Sequence, residues 1–388
     1  MSLKLRMFQS GKIGKLTIKN RFVRSATYEG LAKEPNGEVT DKLLKLYQKL
    51  AEGEIGLITT GFSFVQENGK AFYNQIGIHK DELLPGLRKL VKIVKDRSDS
   101  RIFIQIAHAG RQVFPDFAKS RDIIAPSSLT DKLTNITPRE MTREDITACI
   151  RNFIAAGRRA YEAEFDGVQL HLAHGYLLSE FISPHYNQRT DEYGGSIENR
   201  FRIIQEIIRG IYDETDKQFP VTVKLNAADF VKDEPQLTIT DSKIIARMLI
   251  KEGIAAIEVS GGTYESTLLG NYTPSRTKIK SKENEAYFLP EAKIIKREVK
   301  DLPIILVGGI RSKAVAEEVL EFVDFVALSR PFIQEPDLVK KWQQSISTRA
   351  ECISCNRCLF EQGGKGLRCI YMEKIQKRKK RKQQINAK

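Results

Sequence analysis

Eight short apolar runs recur along the chain and constrain its fold more than any other feature. They cover residues 21–26, 56–62, 102–107, 167–172, 221–226, 256–260, 303–307 and 325–329. Each is nearly continuous in apolar and β-branched residues rather than alternating. That is the pattern of strands buried on both faces of a parallel sheet. The segments between them carry helical spacing, with Leu43, Leu44, Tyr47 and Leu50 in 41–52 and Ile197, Phe201, Ile204, Ile208 and Ile211 in 197–212. Stretches 242–252 and 313–320 look similar, and Thr240 and Ser312 are the predicted N-caps. Eight strands alternating with helices predict an α/β fold, a (β/α)8 TIM barrel with right-handed crossovers, over residues 1–345. Two connections, 63–84 and 109–141, are long, and long loops at the strand ends of this fold shape active sites.

At 41% hydrophobic and 29% charged residues, the chain can bury a large core and is not disordered as a whole. No apolar run reaches membrane-spanning length, and the first residues show no signal-peptide apolar region, so a cytoplasmic protein is expected. The net charge of +14 suggests nucleic acid until it is located. Residues 374–388 hold eight Lys or Arg and no acid, which leaves +6 for residues 1–373. Residues 373–388 therefore read as a basic, disordered tail rather than a nucleic-acid interface. Four of the five cysteines, Cys352, Cys355, Cys358 and Cys369, fall in the segment 346–372. Gly363, Gly364 and Gly366 give the loop freedom to bring Cys369 round. Clustered cysteines in a cytosolic chain read as metal ligands more readily than as disulfides. Cys149 stands alone in a helical pattern and reads as core.

The chemistry concentrates where the fourth run ends, in His171-Leu-Ala-His174-Gly-Tyr176. Imidazoles can donate hydrogen bonds to a carbonyl oxygen, and a phenol can give up a proton. In a straight strand His171 would face away from His174 and Tyr176, so convergence requires a bend near 173–175, which Gly175 permits. Polar or glycine residues also end the other runs: Thr27 and Tyr28, Thr60 and Gly61, Gln105 and His108, Lys224 and Asn226, Ser260, Gly308 and Gly309, and Ser329 and Arg330. The pair Gly308-Gly309 with Ser329-Arg330 falls at strands seven and eight, the usual phosphate site of this fold.

Read together, these stretches resemble the old yellow enzyme family of FMN-dependent ene reductases. Within that family they look like the branch leading to 2,4-dienoyl-CoA reductase and trimethylamine dehydrogenase. The resemblance rests on Asn20-Arg-Phe-Val-Arg-Ser-Ala-Thr-Tyr28, Gln105-Ile-Ala-His-Ala-Gly-Arg111, 171–176, Arg189-Thr-Asp-Glu-Tyr-Gly-Gly195 with Glu198-Asn-Arg200, Val307-Gly-Gly309 and Ser329-Arg-Pro-Phe332. It implies FMN in the barrel mouth, with the flavin ring near Ala26, Thr27 and Tyr28. Gly61 would belong to the same cofactor-binding set, with Gln105 on the pyrimidine edge and Lys224 beside N1–C2=O. Gly308, Gly309, Ser329 and Arg330 would hold the phosphate. His171 and His174 would bind a substrate carbonyl and Tyr176 would donate the proton, after NAD(P)H has reduced the flavin. The expected partner is a small enone or enoate-type molecule, and a homo-oligomer is anticipated. The chain departs from the family pattern at Ala26, where many members have proline, at Tyr28, where they have threonine or cysteine, and at Lys224, where most have arginine.

The spacing Cys352-x2-Cys355-x2-Cys358-x10-Cys369 resembles the iron–sulfur site of the same branch, so a 4Fe-4S cluster is one expectation, with zinc or no metal as the others. Three further functions compete. An FMN barrel acting on RNA, like a dihydrouridine synthase, would use the basic tail, but no cysteine stands in the strand-end loops for its catalysis. A non-redox barrel could use Lys224 as a Schiff-base amine. An adaptor could combine a zinc-binding cysteine segment with a degenerate barrel.

Overall fold

The structure, a computed structural model, describes residues 5–232, 235–269, 274–360 and 364–386. All eight predicted strands are present: β1 (Phe22–Arg24), β2 (Leu57–Thr59), β3 (Arg101–Ala107), β4 (Gly167–Leu172), β5 (Val221–Asn226), β6 (Ala256–Ser260), β7 (Ile304–Val307) and β8 (Phe325–Leu328). They pair in parallel in sequence order, and β8 returns to β1 through Val326↔Phe22 and Leu328↔Arg24, closing the barrel. Helices α1 (Asp41–Glu52), α2 (Leu84–Lys95), α3 (Arg143–Glu162), α4 (Ile197–Glu214), α5 (Ile239–Lys251), α6 (Leu289–Val299) and α7 (Lys313–Val319) connect them. Their apolar stripes pack on the outward strand residues in one continuous core, where a buried Leu or Ile contributes about 1.5–3 kcal/mol.

A hairpin unread in the sequence, Gly11–Ile13 against Leu16–Ile18, plugs the barrel floor. Its Ile13 and Ile18 are fully buried among inward residues Val23, Leu57, Phe103, Ile305 and Phe325. The floor is thus apolar and closed, and polar chemistry is left to the opposite end. The two long connections carry short strands of their own: Ser63–Phe64 extends β3, and Ile124–Ala125 pairs with Arg139–Glu140.

Three sequence expectations need correction. Helix α5 is capped by Thr238, not Thr240. Thr238 and Asp241 form a reciprocal capping box, and the Thr-x-x-Asp spacing is the signal for it. Ser312 precedes α7 but makes no side-chain cap; its hydroxyl donates to Glu285 at 2.6 Å. The basic tail is helical, α8 (Ile370–Asn386), because Lys, Arg and Gln favour helix and no Gly or Pro interrupts them. Ala387 and Lys388 lie outside the described residues. Cys149 is buried in α3, as expected. Among the described residues, no helix is long and apolar enough to cross a membrane.

Candidate active site

Strand register assembles a polar layer just below the barrel mouth. Gln105 on β3 lies opposite Gln169 on β4, and Lys224 on β5 lies between His171 on β4 and Glu258 on β6. Gln105 donates to Gln169 at 2.7 Å, and Gln169 donates to Glu258 Oε2 at 2.9 Å. The other carboxylate oxygen accepts from Ser25 at 2.6 Å and pairs with the Lys224 ammonium at 3.1 Å. Lys224 also donates to Ser25 at 2.8 Å. A buried ion pair is tolerable only when its remaining lone pairs are satisfied, and here both oxygens of Glu258 are. Ser25, Gln169 and Glu258 escaped the sequence reading. The signal for the last two was a single polar residue inside an otherwise apolar strand, repeated from strand to strand.

His171, His174 and Tyr176 do converge. His171 continues the inward face of Gln169, two residues on. The chain then turns through two left-handed residues, His174 at φ 68° and Gly175 at φ 78°. The bend therefore begins one residue before the glycine. A side chain at Gly175 would meet Gln112, which is fixed by donating to the His174 carbonyl at 2.8 Å. The turn sets the His171 ring 5.2 Å from His174 and 4.9 Å from Tyr176, centroid to centroid. His174 Nε2 meets the Ser260 hydroxyl at 2.7 Å, whereas His171 Nδ1 is buried without a hydrogen-bond partner among the described residues.

Burial keeps both imidazoles neutral. It pushes His174 down to about 3, helped by the nearby Lys224 charge. His171 falls well below its ordinary value through burial, then His174 and Lys224. Burial raises the Tyr176 phenol well above its usual range, so it stays protonated at neutral pH. The site therefore offers two neutral imidazoles and a proton-bearing phenol.

Aromatic rings wall this group. Phe62, absent from the sequence reading, lies 5.1 Å from Tyr176, 6.1 Å from His171 and 6.1 Å from Tyr28. Tyr28 also lies 5.2 Å from Phe72, and its hydroxyl donates to the Tyr73 carbonyl. Tyr28 is thus held against the 63–84 connection. Burial and the adjacent Glu29 raise its pKa. Ala26 lies between Ser25 and Thr27, and Thr27 donates to Ser329 at 2.8 Å.

Several of the motif residues brace the backbone. Gly61 sits on the Glu29 carboxylate: its N–H donates at 2.7 Å, and a Cβ there would lie 2.1 Å from Oε2. Arg189 donates to the carbonyls of Pro126 and Met141, tying the 109–141 connection to the loop after β4. Asn187 donates to the carbonyls of Phe181 and Tyr193, both at 2.8 Å.

At the far side of the mouth, Gly308 (φ 139°) and Gly309 (φ 77°) take backbone conformations that residues with a side chain rarely adopt. A Cβ at Gly309 would come within 2.7 Å of Ile279 and Tyr287. Ser329 is shared with Thr27, as noted. Arg330 points elsewhere than the glycine pair alone would suggest: its Nη1 donates to the Asn356 side chain and the Arg276 carbonyl, and it lines the cavity of the cysteine segment.

That cavity is bordered by Cys352, Cys355, Cys358 and Cys369 together, all free thiols. Among the described residues, no three His, Cys, Asp or Glu side chains form a group that could hold a metal ion. The segment is not a loose appendage. Leu367 N–H donates to the Glu29 carbonyl at 2.6 Å, and a Cβ on Gly366 would strike Leu31. Gly364 and Gly366 both take left-handed backbone, at φ 68° and 74°, and Gly363 lies outside the described residues.

A closed barrel with its polar constellation at the strand C-terminal ends is the architecture of a barrel enzyme. Residues 6–349 match the model of the NADH:flavin oxidoreductase / NADH oxidase family, and the chain belongs to that family. It is 37% identical over 356 residues to an NADH oxidase of Thermoanaerobacter brockii, which covers 90% of this chain and 52% of that protein. This chain thus spans about half of that relative's length. An NADPH dehydrogenase of Bacillus subtilis is 33% identical, with 88% of this chain and 96% of the relative covered. Among solved structures, a 2-naphthoyl-CoA reductase in complex with 2-naphthoyl-CoA superposes with a TM-score of 0.83 at 27% identity, over 92% of this chain and 55% of that one. An old yellow enzyme homologue from Zymomonas mobilis shares the fold, with a TM-score of 0.74 at 24% identity, over 89% of this chain and 95% of that one.

Proposed function

We propose that this chain is an FMN-dependent oxidoreductase that takes hydride from NAD(P)H and delivers it to a carbonyl-conjugated alkene. The observation that carries this reading is the convergence of two imidazoles and a phenol at one point of the mouth, with His171 Nδ1 left without a hydrogen-bond partner among the described residues. The flavin, when bound, supplies the hydride. The residues present fit it. Gln105 and Lys224 provide an amide and a cation in the buried layer. Thr27 and Ala26 edge the mouth. Gly308, Gly309 and Ser329 provide a surface on which a phosphate can approach backbone. His171 and His174 donate to the substrate carbonyl oxygen, which draws electron density from the alkene. Tyr176 supplies a proton to the α-carbon. Phe62 and Tyr28 exclude water and favour a planar substrate.

We further propose a second cofactor at the cysteine segment, for which the four thiols would have to draw together around the bound group. A single zinc binds four sulfurs at about 2.3 Å each, so they must nearly touch. An iron–sulfur cluster takes four thiolates spread around a larger inorganic core. Four cysteines bordering one cavity suit the cluster. Cys352, Cys355, Cys358 and Cys369 would hold it, and iron and sulfide analysis of anaerobically prepared protein tests it.

The proton-donor role is tested by Tyr176→Phe in FMN-loaded protein. Reduction by NAD(P)H is expected to be unchanged. Reoxidation by 2-cyclohexenone is expected to slow by roughly 10²–10⁴-fold, the usual worth of general-acid help. A wild-type reoxidation rate in stopped-flow measurements would remove Tyr176 from that role.

A further inference from the structure

Glu258 stands on β6 in the same buried layer as Lys224, and none of the steps above uses it. Its two carboxylate oxygens have different partners. Oε1 faces the Lys224 ammonium at 3.1 Å and accepts from the Ser25 hydroxyl at 2.6 Å, while Lys224 donates to the same hydroxyl at 2.8 Å. Cation, hydroxyl and carboxylate thus close a triangle, and a negative charge lies directly against the positive one.

Oε2 accepts from Gln169 at 2.9 Å. A carboxylate can only accept, so the Gln169 amide must turn its NH2 toward Glu258 and its oxygen away. That oxygen then accepts from the Gln105 amide at 2.7 Å. The charge on Glu258 therefore sets the direction of a chain of two amides, and through it the orientation of Gln105.

Lys224 is 3% exposed and Glu258 0%. At that depth an apolar pair of similar volume would serve the core as well or better, so packing alone is a weak reason for the ion pair. Its field is a stronger one, because charges in a dry layer are little screened by solvent.

We propose that Glu258 tunes the flavin: it offsets the Lys224 charge and fixes the Gln105 amide, which holds the flavin reduction potential below the value a lone lysine would give. This rests on the reading that FMN binds here with its N1–C2=O edge toward Lys224. Reduced flavin gathers negative charge on that edge, which a cation stabilises and a nearby carboxylate opposes. A lower potential makes the bound reduced flavin a stronger hydride donor. Glu258 acts through Lys224 and Gln105, so it is a positioning residue.

The test is a potentiometric titration of the full FMN-loaded chain against reference dyes. Glu258→Gln keeps the shape and removes the charge. It is expected to shift the ratio of reduced to oxidised flavin at a given potential about tenfold toward reduced, a rise of about 30 mV for a two-electron couple. Lys224→Met combined with Glu258→Gln removes both charges and is expected to return close to the wild-type potential. Lys224→Met alone is expected to lie below it. Side chains that only filled space would not produce this order. Glu258→Asp withdraws the carboxylate from Lys224 by one methylene. It is expected to shift the ratio the same way by about threefold, and it decides the matter if Glu258→Gln does not fold. A folded Glu258 variant with a potential at or below wild type overturns the tuning. If the wild-type chain does not quench the fluorescence of added FMN, the cofactor reading falls and the tuning falls with it. FMN that binds with a potential unmoved by Glu258 sinks the tuning alone.

Discussion

The barrel mouth and the cysteine segment are both clusters of chemically capable side chains, but they are built in different ways. At the mouth, Gln105, Gln169, Lys224 and Glu258 come from four adjacent strands, and parallel register alone sets their spacing. Their hydrogen bonds close on one another, so the layer is complete before any ligand arrives. In the cysteine segment, four thiols stand on loop and short helix and border one cavity. One cluster is tied together by hydrogen bonds between strands, and the other is placed by loop backbone. Strand-borne groups should therefore fail through electrostatics when altered, and the loop-borne ones through local loosening.

The largest expected effect is on the mouth, and it is one of pH. His174 and His108 are buried with pKa values pushed down to about 3, and His171 is lowered too. In the unfolded chain each would titrate near 6.5. Above that pH both states are neutral and nothing is gained or lost. As pH falls below it, the unfolded chain takes up protons that the folded one refuses, so stability drops steadily toward pH 3. Between pH 6.5 and 5 each such group costs about 1–2 kcal/mol. Urea unfolding at pH 7 and pH 5 measures this, and His174→Gln should flatten the curve. A stability independent of pH across that range would break the account of neutral buried imidazoles.

Lys224→Met comes next. It strands the Glu258 charge in the barrel, at an expected loss of about 3–5 kcal/mol. Lys224→Met with Glu258→Leu should recover most of that loss, because no lone charge remains. If the single and double variants melt alike, the layer is not the closed network its distances describe.

The smallest effect belongs to the segment. Cys355→Ala should leave FMN in the barrel, lower the melting temperature by a few degrees and expose new protease sites after residue 345. An unaltered melting temperature and cleavage pattern in anaerobic protein would mean that the thiols stabilise nothing.

The same contrast explains what could be read from sequence. The eight strands were legible because burial on both faces leaves runs that little else in a chain resembles. His171, His174 and Tyr176 were legible as residue types, but their convergence depends on a left-handed backbone at His174, which no side-chain pattern announces. Phe62 ends the second apolar run and Tyr264 lies in the loop after β6, and only the fold brings both to Tyr176. The floor hairpin was missed because strands of three residues carry too little periodicity. Thr238 rather than Thr240 caps α5 because Asp241, three residues on, completes the capping box. Arg330 was legible at the end of the eighth strand, but the contact of its Nη1 with Asn356, 26 positions later, was not.

The hydrogen bond from Leu367 to the Glu29 carbonyl has a bearing on how the molecule is made. The Glu29 side chain also holds Arg24, Tyr47 and the Gly61 N–H, so it organises the first strand-end loop. On the ribosome, residue 29 emerges early and residue 367 only after all eight strands have been synthesised. The first loop of the mouth therefore has one backbone partner that is synthesised after the whole barrel wall. Cutting the chain before residue 367 would remove that partner and leave the Glu29 side-chain contacts to Arg24, Tyr47 and Gly61 in place.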